Sequence, residues 1–317
     1  MECIGIAGLG LLGRGISASL LAHGYRVAAY TPNPDEYLLA EAEIRLAIGE
    51  LAEHAQYPSA LIDEWPGRFI HVADLEAFAD CSFVIESIVE CLEAKRALYR
   101  RLESIVSAET PIATNTSSLP IGELQAECLH PERLVGMHWA EPAHATRFLE
   151  IVRGAATDDQ TVAAAEKLAR SVGKEPCAVS ADLPGFIANR LAYAMYREAF
   201  HLLQSGVANA ETIDRSFRNS VGLWAAVCGP LRWIDLTGGP SLYCHAMDNV
   251  LPGLCKEESS QKFIHGVVRE NARGVIDGEG FYTYAPGDVA EWEQRFREHV
   301  WLIKSAQDRE FPIATEK

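Results

Sequence analysis

Apolar residues in this chain fall into two kinds of run. Short, nearly continuous runs have the length and β-branched content of buried strands: Cys3 to Ala7, Arg26 to Tyr30, Phe69 to Val72, Ser82 to Ile85, Pro111 to Ala113, Leu134 to Met137, Phe148 to Val152 and Cys177 to Val179. Longer stretches place apolar residues at helical spacing, as in Ile16, Leu20 and Leu21, in residues 36–55, in Leu92 to Val106 and in Gln160 to Val172. The two kinds alternate as far as Leu183-Pro184-Gly185. Beyond it almost every segment reads as helix: Phe186 to Gln204, Ala210 to Val221, Pro230 to Thr237 and Val289 to Lys304, with a Gly-rich connection from Gly274 to Gly280 leading to Phe281-Tyr282-Thr283-Tyr284. The pattern predicts an α/β domain over residues 1–183 and an all-helical domain over residues 184–317.

The first strand runs into Gly8-Leu9-Gly10-Leu11-Leu12-Gly13 and then into a helix and a second strand. In that setting GxGxxG is specific: Gly8 allows a tight turn, Gly10 lets backbone approach a pyrophosphate, and Gly13 lets helix pack on strand. The helix N-terminus then offers free N–H groups to an anion, beginning with those of Leu11, Leu12 and Gly13. The second strand ends in Thr31, where an acid would favour NAD and an arginine NADP. Tyr30 to Leu39 holds no basic residue, and Asp35-Glu36 lies close by, so the expected dinucleotide is NAD.

Polar residues inside apolar runs mark the candidate chemistry. His138 and Glu150 sit within two predicted strands on either side of a loop containing Pro142. An imidazole hydrogen-bonded to a carboxylate has its tautomer fixed and gains proton affinity, which makes a general base. Thr114-Asn115-Thr116-Ser117-Ser118 follows the strand at Pro111 to Ala113, at the end where open α/β sheets bind ligands. A plainer role for Ser118 is a helix cap ahead of Pro120. The basic positions Lys95, Arg96, Arg100 and Arg101 read mostly as a solvated helix face.

Composition narrows the function classes. The formal net charge of −16 argues against nucleic acid as a partner. No apolar run approaches the length of a membrane span, and the first residues already read as a strand, so a cytoplasmic protein is expected. The eight cysteines form no CxxC pair, which points away from a metal site and towards small buried hydrophobes.

Together these motifs resemble the 3-hydroxyacyl-CoA dehydrogenase family over nearly the whole chain. The resemblance rests on Gly8 to Gly13, Val89-Glu90 to Lys95, Asn115-Thr116-Ser117-Ser118-Leu119, Gly136-Met137-His138, Glu150, Pro184-Gly185-Phe186-Ile187-Ala188-Asn189-Arg190, Gly229-Pro230 with Asp235, and Gly280-Phe281-Tyr282. It implies a Rossmann-type doubly wound sheet with a second, all-helical C-terminal domain that binds substrate and forms a homodimer. The family's catalytic quartet falls on Ser117, His138, Glu150 and Asn189, and its cofactor contacts on the glycines, Glu90, Lys95 and Asn115. By that analogy His138 takes the proton of a substrate hydroxyl while hydride passes to NAD, with 3-hydroxyacyl-CoA and fatty acid metabolism as the nominal setting.

The departures concern the substrate. Where acyl-CoA members carry two aromatics and an Asn after the histidine, this chain has Trp139-Ala140-Glu141, with His144 and Arg147 following. The stretch where such enzymes carry lysines near the CoA phosphate reads here as Glu41 to Gln56, with Arg45 its only Lys or Arg. The His-Trp-x-x-Pro-x-His pattern is similar to a branch that oxidises small polar substrates, pyridine carboxylates of vitamin B6 breakdown among them. Ser118, Trp139 and Arg147 are therefore candidate substrate contacts, Arg147 either as a clamp for a carboxylate or as an exposed strand-edge residue. A crystallin-like NAD-binding protein without activity is the alternative from another class.

Overall fold

The computed structural model describes residues 1–259 and 272–313. Two compact units emerge, Met1–Asn189 and Arg190–Pro312, the division falling inside the first turn of the helix that follows Leu183-Pro184-Gly185.

The first unit is built on eight strands: β1 (Cys3–Ala7), β2 (Arg26–Tyr30), β3 (Phe69–His71), β4 (Phe83–Glu86), β5 (Ile112–Thr114), β6 (Leu134–Trp139), β7 (Phe148–Val152) and β8 (Glu175–Val179). They form one sheet in the order β3-β2-β1-β4-β5-β6-β7-β8, parallel throughout except where β6 meets β7. This is the doubly wound Rossmann-type arrangement, in which parallel strands are covered on both faces and so read as continuous apolar runs. Successive side chains point to opposite faces. Ile85, Val135 and Met137 pack with Ile16 and Leu20 of α1 (Leu11–Ala22), Ile44 and Ile48 of α2 (Pro34–His54) and Leu168 of α6 (Asp159–Ser171), where α3 is Leu61–Glu64, α4 is Leu92–Ile105 and α5 is Ile121–Gln125. Val84, Ile112 and Leu134 pack on the other face with Phe78 and with Tyr99 and Leu102 of α4.

Several strands run past their apolar stretch. β4 takes in Glu86 and β5 takes in Thr114 because the ladder continues and pairs those two residues. α5 corrects the reading of Ser118 as its cap: the helix opens at Pro120 with no side-chain cap of its own, and Asp182 accepts from Ile121 N at 2.9 Å and Gly122 N at 2.7 Å. A cap supplied from after β8 leaves no local signal in sequence.

The second unit contains α7 (Ala188–Gln204), α8 (Ala210–Asn219), α9 (Val221–Leu236), α10 (Gly239–Val250) and α11 (Asp288–Glu310). α7 starts at Ala188 rather than Phe186 because Phe186 has φ +50°, outside the helical region. α9 is broken at Gly229, φ +63°, and resumes at Pro230, where the pattern starts a helix. α10 is absent from the sequence reading, since its opening Gly-Gly-Pro resembles a turn; Pro240 in fact occupies the first helical turn, where its missing N–H costs nothing. α11 outruns Lys304 to Glu310, with Lys304 and Asp308 paired at 2.8 Å across one turn. Stacked rings join Phe200 to Phe281 and Trp224 to Trp233, and Tyr282 donates to Asp214 at 2.6 Å. Leu223, Leu231 and Leu236 of α9 remain 77%, 79% and 69% exposed. Among the described residues no helix is long and apolar enough to cross a membrane.

Candidate active site

The glycine turn has the shape its spacing predicts. Gly8 has φ +102°, and a Cβ there would lie 2.4 Å from the Ser87 carbonyl oxygen. A Cβ on Gly13 would meet the Gly8 carbonyl at 2.0 Å, whereas one on Gly10 would meet nothing within 4 Å. Gly8 and Gly13 thus let the turn close, and Gly10 borders open space. α1 begins with no side-chain cap and no acid in its first turn, so its leading N–H groups suit a diphosphate. Leu11 is exposed beside this turn, and Leu12 packs onto the core. At the end of β2, Thr31 Oγ1 donates to Glu36 Oε2 at 2.7 Å. This bond sets the Glu36 carboxylate beside the end of β2, a neighbour the sequence pattern alone did not assign.

Lys95 is not on a solvated face: it is 1% exposed and its Nζ donates to Glu86 Oε1 at 2.6 Å, with Glu90 Oε2 at 3.4 Å. Glu86, fully buried, also accepts from Ile88 N, Tyr99 OH and Thr114 Oγ1, so its carboxylate is held by one ammonium and three neutral donors. Burial, followed by the adjacent Glu86 carboxylate, pushes the Tyr99 phenol well above its ordinary range.

Glu90 in turn gathers the polar turn after β5. Its Oε1 accepts from Thr116 Oγ1 (2.6 Å), Ser117 N (3.0 Å), Ser118 N (3.0 Å) and Ser118 Oγ (2.9 Å). Burial alone would raise this carboxyl; the Thr116 hydroxyl, the Lys95 charge and the Ser118 and Ser117 donors outweigh it and hold it below the ordinary range. Asn115 bridges two strands, donating to Ser87 Oγ at 3.1 Å and accepting from Trp139 N at 2.9 Å.

His138 and Glu150 face each other in register across β6 and β7, and His138 Nδ1 lies 2.8 Å from Glu150 Oε2. An ionised carboxylate only accepts, so Nδ1 carries the hydrogen of this bond. Glu150 Oε1 accepts from Ile187 N at 3.1 Å and Ala188 N at 2.9 Å, the two residues ahead of Asn189. Asn189 Nδ2 then reaches the Ser117 carbonyl at 3.0 Å. One chain of hydrogen bonds and covalent neighbours therefore joins all four predicted residues. Burial would raise the Glu150 carboxyl, but the His138 bond and the two N–H groups overcome it and the carboxyl is held low. Two residues outside the predicted set complete the setting: Phe148 stands edge-on to the imidazole and Phe186 lies tilted against it, each with centroids 5.6 Å away.

The loop between β6 and β7 is held from the head of β8. Lys174, 1% exposed, donates to the carbonyls of Ala143 and Thr146 and lies 5.2 Å over the Trp139 ring. Arg147 is not an exposed edge residue: it is 7% exposed and bonds Glu175 at 2.9 Å. His144 pairs with Glu50 of α2 at 2.9 Å. Among the described residues no group of His, Cys, Asp and Glu could hold a metal ion.

A nucleotide turn at the end of β1, with a histidine on β6 paired to a carboxylate on β7, defines a dinucleotide-dependent oxidoreductase. Residues 3–183 match the family described as 3-hydroxyacyl-CoA dehydrogenase, NAD binding domain, and residues 185–284 match its C-terminal domain. The chain belongs to the 3-hydroxyacyl-CoA dehydrogenase family and is an NAD-dependent dehydrogenase. It is 33% identical to a 5-formyl-3-hydroxy-2-methylpyridine 4-carboxylate 5-dehydrogenase of Mesorhizobium japonicum, covering 97% of this chain and 99% of that one. An L-carnitine dehydrogenase of Streptomyces griseus is 34% identical, with coverage of 86% and 88%. A crystal structure of the pyridine-carboxylate enzyme, described as an NAD+ dependent dismutase, superposes with a TM-score of 0.89 at 30% identity and covers 97% and 99% of the two chains.

Proposed function

We propose that this dehydrogenase oxidises the hydroxyl of a compact, carboxylate-bearing alcohol, with His138 as general base. Glu150 orients the imidazole and stabilises the cation formed when Nε2 takes the hydroxyl proton. Ser117 and Asn189 hydrogen-bond the reacting oxygen. When bound, NAD supplies the hydride acceptor; Gly8, Gly10, Gly13 and the start of α1 would hold its diphosphate, Glu36 with Thr31 its ribose, and Glu90 and Asn115 its nicotinamide end, with buried Lys95 acting through Glu90. Ser118 borders the substrate, whereas Trp139, 2% exposed, packs in the core and does not serve as the contact its sequence position suggested. The observation that carries this reading is the buried 2.8 Å contact between His138 and Glu150, next to the turn that holds Ser117.

Compactness is supported by α2, where Arg45 is the only Lys or Arg between Glu41 and Gln56 and lies 5.6 Å over the Trp65 ring. A phosphorylated nucleotide would find Glu41, Glu43, Glu50 and Glu53 there instead. The second reading keeps the chemistry on a 3-hydroxyacyl-CoA, which the family match and the complete quartet favour. NADH absorbance with a panel of pyridine-carboxylate alcohols, L-carnitine and 3-hydroxybutyryl-CoA tests both. Higher kcat/KM on a free acid supports the first reading, higher kcat/KM on the thioester the second, and no NADH with any hydroxyl compound overturns both. The exposed leucines of α9 support a homodimer through the helical unit.

A further inference from the structure

At the opposite end of the sheet from the glycine turn, two thiols face each other across neighbouring strands. Cys3 opens β1, and its carbonyl accepts from Ser82 N at 2.9 Å, which sets Cys81 beside it just ahead of β4. Cys81 Sγ donates to Cys3 Sγ at 3.8 Å. Cys81 is 3% exposed, while Cys3, packed against the same core cluster, is only partly buried.

We propose that Cys3 and Cys81 form an oxidation site that a hydroperoxide converts to an intrachain disulfide. The thiolate of Cys3 attacks one peroxide oxygen, the O–O bond breaks, and the departing oxygen leaves as water or an alcohol after taking a proton. Cys3 is then a sulfenic acid. Cys81 gives up its S–H proton, its sulfur attacks the Cys3 sulfur, the S–O bond breaks and the hydroxyl leaves as water. Two thiols and one hydroperoxide thus yield one disulfide and two hydroxylic products, and the peroxide takes up both electrons.

The surroundings favour Cys3 as the attacking sulfur. The S–H donated by Cys81 lowers its thiol to about 6; burial opposes this, Arg26 and the Ala28 backbone assist, and Asp80 opposes. Cys81 is pushed up, first by donating to Cys3 and then by burial, so it waits as the resolving thiol. A bond of about 2.05 Å would close the 3.8 Å gap between the residue that opens β1 and one lying two positions ahead of β4, strands that pair in parallel from Ile4 and Phe83 onward. The bridge would tie together the starts of β1 and β4, whose far ends carry Gly8 and Glu86. Because it joins positions 78 apart, it restricts the unfolded chain and raises the melting temperature.

The test is peptide mapping of the whole protein after titration with hydrogen peroxide, alkylation of remaining thiols and digestion without reductant. The expected product is a peptide carrying Cys3 linked to one carrying Cys81, formed ahead of oxidation at the exposed Cys91, Cys177 and Cys244 and reversed by dithiothreitol. In Cys81→Ser, Cys3 is trapped as a dimedone adduct; in Cys3→Ser, Cys81 stays reduced. NADH fluorescence confirms that both variants are folded. Finding Cys3 and Cys81 alkylated once the exposed cysteines are oxidised, or Cys3 linked to a different cysteine, overturns the proposal, and the parent protein alone decides this if a variant does not fold.

Discussion

Glu150 illustrates how much one buried carboxylate does at the residue scale. Its folded carboxyl binds a proton less readily than an unfolded one. The stability it contributes is therefore complete above the unfolded value of about 4.3 and is lost as pH falls through the folded value. Glu150→Gln is expected to cost about 1–3 kcal/mol near neutrality. In urea melts at falling pH the variant and the parent should converge, and parallel curves down to strong acid would refute the assignment. Its kcat should fall about 100-fold, because the amide no longer holds the imidazole as an ionised partner does. Gly13 gives the complementary case. With a Cβ placed 2.0 Å from the Gly8 carbonyl, Gly13→Ala must open the turn, and NADH fluorescence titration should show binding weakened by about tenfold or more. Gly13 and His138 were legible in the sequence because each sits at a fixed offset within its own strand and turn. Lys95 was misread because its partner, Glu86, lies in another element and nothing in the local pattern of α4 announces a buried cation.

At the scale of elements, the segment from Ala140 to Arg147 depends on the start of β8. Ala143 and Ala145 are buried, and the carbonyls that Lys174 takes would otherwise lack a strong donor. Lys174→Met should leave each about 1–3 kcal/mol short of compensation. The expected readout is faster hydrogen exchange confined to residues 140–147, with exchange in β1 to β5 unchanged and Lys174→Arg restoring protection. Uniform loosening of the sheet would show instead that Lys174 supports the fold in general. This clamp was hidden in sequence, where Gly173-Lys174-Glu175 reads only as the end of a helix. The same holds for Arg147, which the sequence offers either as a carboxylate clamp or as an exposed strand-edge residue, and whose partner Glu175 lies at the start of β8.

At the scale of the whole molecule, the helical unit differs from the sheet unit in how it treats apolar side chains. The sheet unit buries them in two layers, while α9 leaves Leu223, Leu231 and Leu236 largely exposed. A second copy covering that surface should give a mass near twice 34.8 kDa in light scattering. Leu231→Glu should shift it to the monomer while NADH binding is retained, and a parent protein that is already monomeric would remove the dimer.

The sequence by itself determined the alternation of strands and helices, the glycine turn, the residue types of the quartet and the place where helices take over. Each of these is written in nearest neighbours and short periods, and hydrophobic burial enforces the period locally. Only the tertiary structure decided which partner each charge takes: Lys95 with Glu86 and Arg147 with Glu175 as ion pairs, Glu36 with the Thr31 hydroxyl, and Glu150 with the backbone leading to Asn189. A buried charge takes whichever partner the packed strands bring within a few ångströms, and distance along the chain carries no record of that choice.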